Sequence, residues 1–348
     1  MIARPFRHWL HTMWCGIAAV LVLSTVAIAP AEATPPTLSR SGAAAGWLAE
    51  QLVEGERFET VFDGVAYPDQ GLTIDAILAF AAAKVADTHA TAATAWLSQP
   101  EILTGYIGDG TEAYAGATAK LALAVEVRGG DPTDFGGVDL IERLRGLQAA
   151  SGRFSDRSAW GDYSNAFTQA FALLALDRTA AGAPETGAVF LAATRCSDGG
   201  YPLYFGAADC VSDVDATAMA VQALLAVDRT ADAAPAVTWL LSVQAADGAF
   251  SNDTGVPNAN STGLAAQALR AAGRPLAWFK ARGYLVSLQV GCSGAEADRG
   301  AIAYTADGFD PTTAVRATAQ AVPGLRGASL ATLVAAGSRP AAPRLFCP

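Results

Sequence analysis

Residues 239–250 read WLLSVQAADGAF and residues 144–154 read LRGLQAASGRF, so Gln244, Gly248 and Phe250 return the pattern of Gln148, Gly152 and Phe154. FLAATRCSDGGY at 190–201 keeps the spacing with Arg195, Gly199 and Tyr201, and weaker copies stand at 47–58 (WLAEQLVEGERF) and 283–294 (GYLVSLQVGCSG). AWLSQPEILTGY, at 95–106, fills the remaining slot with little of the signature left. Each copy is followed by a small-residue segment opened by a polar residue, as in DVDATAMAVQALLA (213–226) and NSTGLAAQALRAA (260–272). A two-part phrase recurring about every 45 to 50 residues is the mark of stacked supersecondary units. Six copies fit between residues 45 and 325.

Apolar residues in both parts recur at helical spacing, while Gly, Pro, Asp and Asn gather in the connections. No strand alternation is sustained. One helix pair cannot bury its apolar face alone, so neighbouring pairs must stack, and six can close on themselves. The fold expected is therefore all-α, an α6/α6 toroid of six helical hairpins with the Ala-rich helices inside; the alternative is an open solenoid. Asp75, Asn165, Asp215, Asn260 and Thr313 are the expected helix caps. Parallel inner helices would bring these N-termini, with their free N–H groups, to one mouth suited to acceptors or an anion.

The chain begins with a basic stretch (RPFRH), an apolar run (WCGIAAVLVLSTVAIA) and Ala31-Glu32-Ala33, which together read as a secretory signal peptide over 1–33. The expected layout continues with a linker at 34–44, the toroid at 45–325 and a C-terminal tail at 326–348. Cleavage removes Arg4, Arg7 and Glu32, taking the formal charge from −10 to −11. Such a surface repels nucleic acid and anionic membranes, and no stable membrane span is expected after cleavage. Four of the five cysteines remain, Cys196, Cys210, Cys292 and Cys347. An even count in an exported chain favours disulfides, with three pairings possible; Cys196–Cys210 as a local staple and Cys292–Cys347 as a clip on the Pro-rich tail are preferred.

The loops leading into the inner helices carry aromatic and acidic residues. Trp160, Tyr163, Tyr201, Tyr204, Tyr304 and Phe309 offer flat faces with polar edges, suited to a planar macrocycle or a sugar ring. An ordinary cap explains each polar helix start, but Asp213-Val214-Asp215 doubles a carboxylate where one suffices. Asp162, Asp253 and Asp307 lack the spacing of a calcium loop. The mature chain keeps a single histidine, His89, far in sequence from any cysteine, so neither a metal site nor a Ser-His-Asp triad is expected.

At these residues the chain resembles the superfamily of squalene cyclases, protein prenyltransferase β subunits and cobalamin carriers of the transcobalamin and intrinsic-factor type. Gln-x3-Gly-x-aromatic is similar to the cyclase QW motif, with Phe or Tyr where Trp is usual. VDATAMA (214–220) and NSTGLAAQAL (260–269) resemble inner helices of the cobalamin carriers. The cyclase resemblance implies a proton-donating Asp215 beside Asp213, although the third Asp of the Asp-x-Asp-Asp motif is absent. The carrier resemblance implies that Asp215 and Gln267 hold corrin amides, although no lid domain follows residue 325.

The reading that results is an exported, non-enzymatic toroid capturing a cobalamin-like macrocycle, another tetrapyrrole or a terpenoid. Its ligand would be held by Asp215, Gln267, Asp213, Asn165 and Asn260, with Trp160, Tyr163, Tyr201 and Tyr204 at the rim. One alternative is an enzyme, either terpene-cyclase-like or a polysaccharide lyase or glycosidase. Another is an extracellular scaffold for a second exported protein.

Overall fold

The computed structural model describes residues 35–348; the signal-peptide reading of 1–33 lies outside them. In chain order they form β1 (Pro36–Thr37), α1 (Arg40–Glu50), β2 (Glu59–Phe62), β3 (Val65–Pro68), α2 (Gln70–Ala83), α3 (Asp87–Leu97), α4 (Pro100–Ile107), α5 (Ala115–Val127), α6 (Leu140–Arg145) and α7 (Ala166–Asp177). There follow α8 (Glu185–Ala193), α9 (Val214–Ala226), α10 (Thr230–Val243), α11 (Ala259–Ala271), α12 (Pro275–Ser287), α13 (Pro311–Arg326) and β4 (Arg344–Leu345). Helices α2, α5, α7, α9, α11 and α13 pack each on the next, and α13 returns to α2. The inner wall is thus a closed cycle, and the open solenoid is excluded.

Small residues make that wall possible. One close crossing sets Gly263 of α11 against Gly324 of α13, where a methyl on Gly324 would fall 2.3 Å from the Gly263 carbonyl oxygen. The outer helices are less regular, running from six residues in α6 to fourteen in α10. The weak slot at 95–106 is not one helix, because the chain breaks at Ser98–Gln99 and restarts at α4 with Pro100 in its first turn.

The repeated phrase is a staple between hairpins. Gln148 Nε2 donates to the Gly152 carbonyl and to Thr186 of α8, and Gln244 Nε2 donates to the Gly248 carbonyl and to Ala277 of α12. Gly152 and Gly248 sit at φ 91° and 97°, and a side chain there would meet the carbonyl of Thr186 or Lys280 at about 2 Å. The aromatic is buried and its backbone N–H is taken by the inner helix: Phe58 donates to Thr73, Phe154 to Gln169, Tyr201 to Thr217 and Phe250 to Thr262. The last copy closes the ring, since Gln289 Nε2 donates to the Gly300 and Arg40 carbonyls and Gly300 abuts Ala43 of α1.

The same staple corrects four expected caps. Asp69, Asp213, Asn258 and Asp310 cap α2, α9, α11 and α13, not Asp75, Asp215, Asn260 and Thr313. In three of these the cap residue's own N–H is fixed by the preceding aromatic's carbonyl: Asp69 on Phe58, Asp213 on Tyr201, Asn258 on Phe250. That anchor holds the earlier polar residue just outside the helix, where its side chain reaches the first helix amides. Asn165 does cap α7, in a full capping box with Thr168.

Two segments depart from the expected layout. Residues 40–44 are not linker but the start of α1, with 41–49 buried. Residues 59–68, where no strand was expected, form an antiparallel hairpin of β2 and β3, turning at Asp63-Gly64 with both φ positive.

The tail, from Ala328 on, crosses the C-terminal end of the ring. Leu330 N–H donates to Gln222, Ala335 N–H to the Val127 carbonyl and Arg339 N–H to the Lys84 carbonyl. It then lays β4 parallel to β1 and is clipped at Cys347, bonded to Cys292, while Cys196 pairs with Cys210 as preferred. Replacing Cys292 and Cys347 by Ala opens a loop with a sequence separation of 55 residues. Chain entropy alone sets the expected loss at about 4 kcal/mol. Urea denaturation of the double variant, with hydrogen exchange at residues 344–346, checks both the loss and the release of β4.

Candidate functional site

The fourth residue of α2, α7, α9 and α11, namely Thr73, Gln169, Thr217 and Thr262, receives the staple amide. Two residues further on, the side chain turns to the ring axis. Asp75, Phe171, Met219 and Leu264 occupy that register, Lys120 holds the sixth place in α5, and Gln320 follows the staple residue Thr318 of α13. All six line a well of about 150 Å³, with Arg316 one turn above Gln320 and Leu330 of the tail among the lining residues. The well is divided: Asp75, Lys120, Arg316, Gln267 and Gln320 on one side, Phe167, Phe171, Met219 and Leu264 on the other.

Lys120 organises the polar side. Its Nζ lies 2.5 Å from Asp75 Oδ1 and 2.9 Å from the Gly71 carbonyl, and it stands 5.9 Å from the centre of the Phe171 ring. Asp75 Oδ2 is buried with no partner, as is Gln267 Oε1, whose amide nitrogen is spent on the Gly263 carbonyl. Arg316 pairs with Asp69 at 2.9 Å, on the side where Asp69 caps α2. Buried polar atoms are normally hydrogen-bonded; two orphan acceptors beside two cations make a site prepared for a polar ligand.

The residues chosen from sequence divide. Gln267 lines the well. Asp213 and Tyr204 instead meet in a second cleft of about 470 Å³ with Trp239 and Asp253. Asp215 is absent from the lining of both, and its Oδ1 is buried without a partner. Asn260 lies within α11, its Oδ1 also buried and unpartnered. Trp160, Tyr163 and Tyr204 are 79%, 72% and 63% exposed, but Tyr201 is fully buried as a staple aromatic and is no rim residue. Asp215 and Gln267 therefore do not share a pocket. Sequence reading missed Lys120, Arg316 and Phe171; the rule of two places beyond the staple residue would have found Phe171.

Solved structures of the same shape exist. The chain superposes on a protein from Actinoplanes with TM-score 0.60 at 17% identity, covering 83% of this chain and 98% of that one. The type II terpene cyclase MstE from Scytonema gives 0.57 at 16%, covering 82% and 96%. The unsaturated glucuronyl hydrolase of Bacillus sp. GL1, responsible for degradation of glycosaminoglycan, gives 0.57 at 14%, covering 82% and 95%. The fold is the α/α toroid. No family model matches the chain, and no curated protein matches its sequence. At these identities the likeness is one of fold alone.

Electrostatics single out one more group in this toroid. Burial, with the nearby charges of Asp213 and Asp253, raises the Asp215 carboxyl to about 6 against the pull of the Ser261 hydroxyl. Asp213 is raised too, by burial first and then by Asp253, with its bond to the Ala216 amide opposing.

A folded pKa above the unfolded one means that the native state keeps a proton the unfolded chain releases. The stabilisation is present at low pH and is lost as pH rises from about 4 to about 6. Asp215→Asn should flatten that decline and exceed the wild type by on the order of 1–2 kcal/mol at about pH 7. Urea midpoints between about pH 4.5 and 7.5 test it; an unchanged slope in the variant would refute the assignment.

The Asp75–Lys120 pair calls for a cycle. Lys120→Met strands a largely buried carboxylate, and a loss of about 3 kcal/mol is expected. Asp75→Asn added to it should recover much of that, measured by chemical denaturation of both single variants and the double.

Proposed function

We propose that the protein is a carbohydrate-active enzyme of the α/α-toroid class, its well taking one acidic sugar unit. The observation that carries this reading is the division of the well, with two cations and free amide and carboxylate oxygens facing an apolar, aromatic wall. A volume of about 150 Å³ suits a single saccharide ring, not a long chain. Arg316 and Lys120, at the end where the inner helix N-termini add positive potential, would meet the sugar carboxylate. Phe171 and Phe167 would take the apolar face of the ring, and the Gln267 and Gln320 amides its hydroxyls. Asp75 Oδ2, with Oδ1 held by Lys120, is the atom placed to accept a proton. The likeness to a glucuronyl hydrolase is one of fold, and it accords with this substrate class.

The ring is read here as six hairpins, one for each inner helix, with α3 and α4 sharing a slot. Export, with the first 33 residues as its signal, is part of the same proposal, and the two disulfides accord with an oxidising compartment. Capture of a cobalamin-like macrocycle or other tetrapyrrole has less support, because the well is smaller than ligand pockets of even drug-sized molecules. A second reading, terpene-cyclase-like acid chemistry, rests on the raised carboxyl of Asp215 and on the fold shared with MstE.

The test is turnover of uronic-acid-terminated oligosaccharides, saturated and unsaturated, by the purified chain. Asp75→Asn should lower kcat at least a hundredfold, and Arg316→Gln should raise KM with a smaller effect on kcat. Full activity in Asp75→Asn would sink the proposal. Turnover of a geranylgeranyl substrate, abolished in Asp215→Asn, would replace it with the second reading.

A further inference from the structure

Each inner helix carries a basic residue at or just past its C-terminus: Lys84, Arg128, Arg178, Arg229, Arg270 and Arg326. A cation there complements the helix dipole, which explains the type of residue but not what its head group does next. Four of the six are occupied. Lys84 Nζ donates to the tail carbonyls of Val334 and Ala336, Arg128 pairs with Asp87, Arg178 holds the Leu330 and Leu333 carbonyls, and Arg229 bridges Glu185 and Asp232.

Arg270 and Arg326 break the pattern. Among the described residues neither has an acidic or carbonyl partner; Arg270 rests over the Trp278 ring at 5.4 Å. Both open into one groove of about 550 Å³ between α11, α13 and the tail, together with Lys84 and the Ser329 and Thr332 hydroxyls. No carboxylate lines it, in a chain where Asp and Glu outnumber Lys and Arg by 33 to 23. Trp278 forms a fixed wall, its Nε1–H donating to the Gly324 carbonyl. The groove lies at the C-terminal end of the inner helices, opposite the cap end, and shares no lining residue with the well.

From this geometry we infer that the groove is a binding site for a tetrahedral oxyanion, the phosphate or sulfate group of an ester or of the free ion, clamped by Arg270 and Arg326 with Lys84 adding charge. Guanidinium forks match such oxygens in pairs. Thr332 supplies a hydroxyl donor, and the tail forms one wall, so binding also ties the tail to the ring.

Calorimetric titration of the full chain at low salt with inorganic phosphate, inorganic sulfate and a sulfated chondroitin disaccharide tests the site. Wild type should bind, and Arg270→Gln with Arg326→Gln should weaken binding at least tenfold. The paired Lys replacements, which keep the charge but lose the fork, should restore only part of it. Arg229→Gln, whose cation is already paired, and Asp75→Asn, in the well, should leave it unchanged, which separates this site from the proposed active site. Tighter binding of the disaccharide than of the free ions would mark the ester of a larger molecule as the ligand, and equal binding a free-anion site; either supports the inference. Should the double variant fail to fold, the exposed Arg326→Gln alone should still weaken binding severalfold. No binding by wild type, or equal binding by wild type and the Gln variants, overturns it.

Discussion

The molecule hangs on a backbone amide. In each clear repeat the N–H of a buried aromatic is taken by a Thr or Gln side chain on the following inner helix, as in Phe250 on Thr262 and Phe154 on Gln169. The carbonyl of three of those aromatics accepts from the helix cap residue, and the Gln four places before the signature glycine ties the turn to the next outer helix. Buried amides left unpaired are costly, so the arrangement fixes the rotation of each inner helix about its own axis. Ring closure follows when the last copy docks Gln289 on Arg40 of the first helix.

That rotation decides what faces the axis. With the staple residue turned outward, the residue two places on must turn in, and every inner helix contributes at least one side chain to the well. The repeat sets positions and leaves identities free, and the sequence uses that freedom to put charge on α2, α5 and α13 and apolar groups on α7, α9 and α11. Adjacent helices of like character meet, so the division into a polar and an apolar side is a consequence of their order around the ring. The far end is treated differently: four of six terminal cations are consumed in holding the tail or pairing with acids, and two have no acidic or carbonyl partner among the described residues.

Much of the fold was legible because its cause is local. Gln-x3-Gly-x-aromatic encodes a turn with positive φ and a buried ring wherever it stands, and its recurrence announced stacked units; the preferred cysteine pairings also stand. The hairpin at residues 59–68 was signalled by Asp63-Gly64 but hidden by the helical pattern around it. The caps were misplaced by two to six residues because either polar residue of Asp213-x-Asp215 or Asn258-x-Asn260 could start a helix, and the choice is made by an amide anchored more than seven residues upstream.

What the sequence determined by itself is the repeat, the helical class and the kind of residue required at each turn, since these follow from contacts within a few dozen residues. Only the tertiary structure decided that Asp75, Lys120 and Arg316 share one well while Asp215 stands apart from Gln267. The reason is geometric: residues separated by some 240 positions become neighbours only when the ring closes, and which side chain points inward depends on staple bonds that no spacing along the chain reveals.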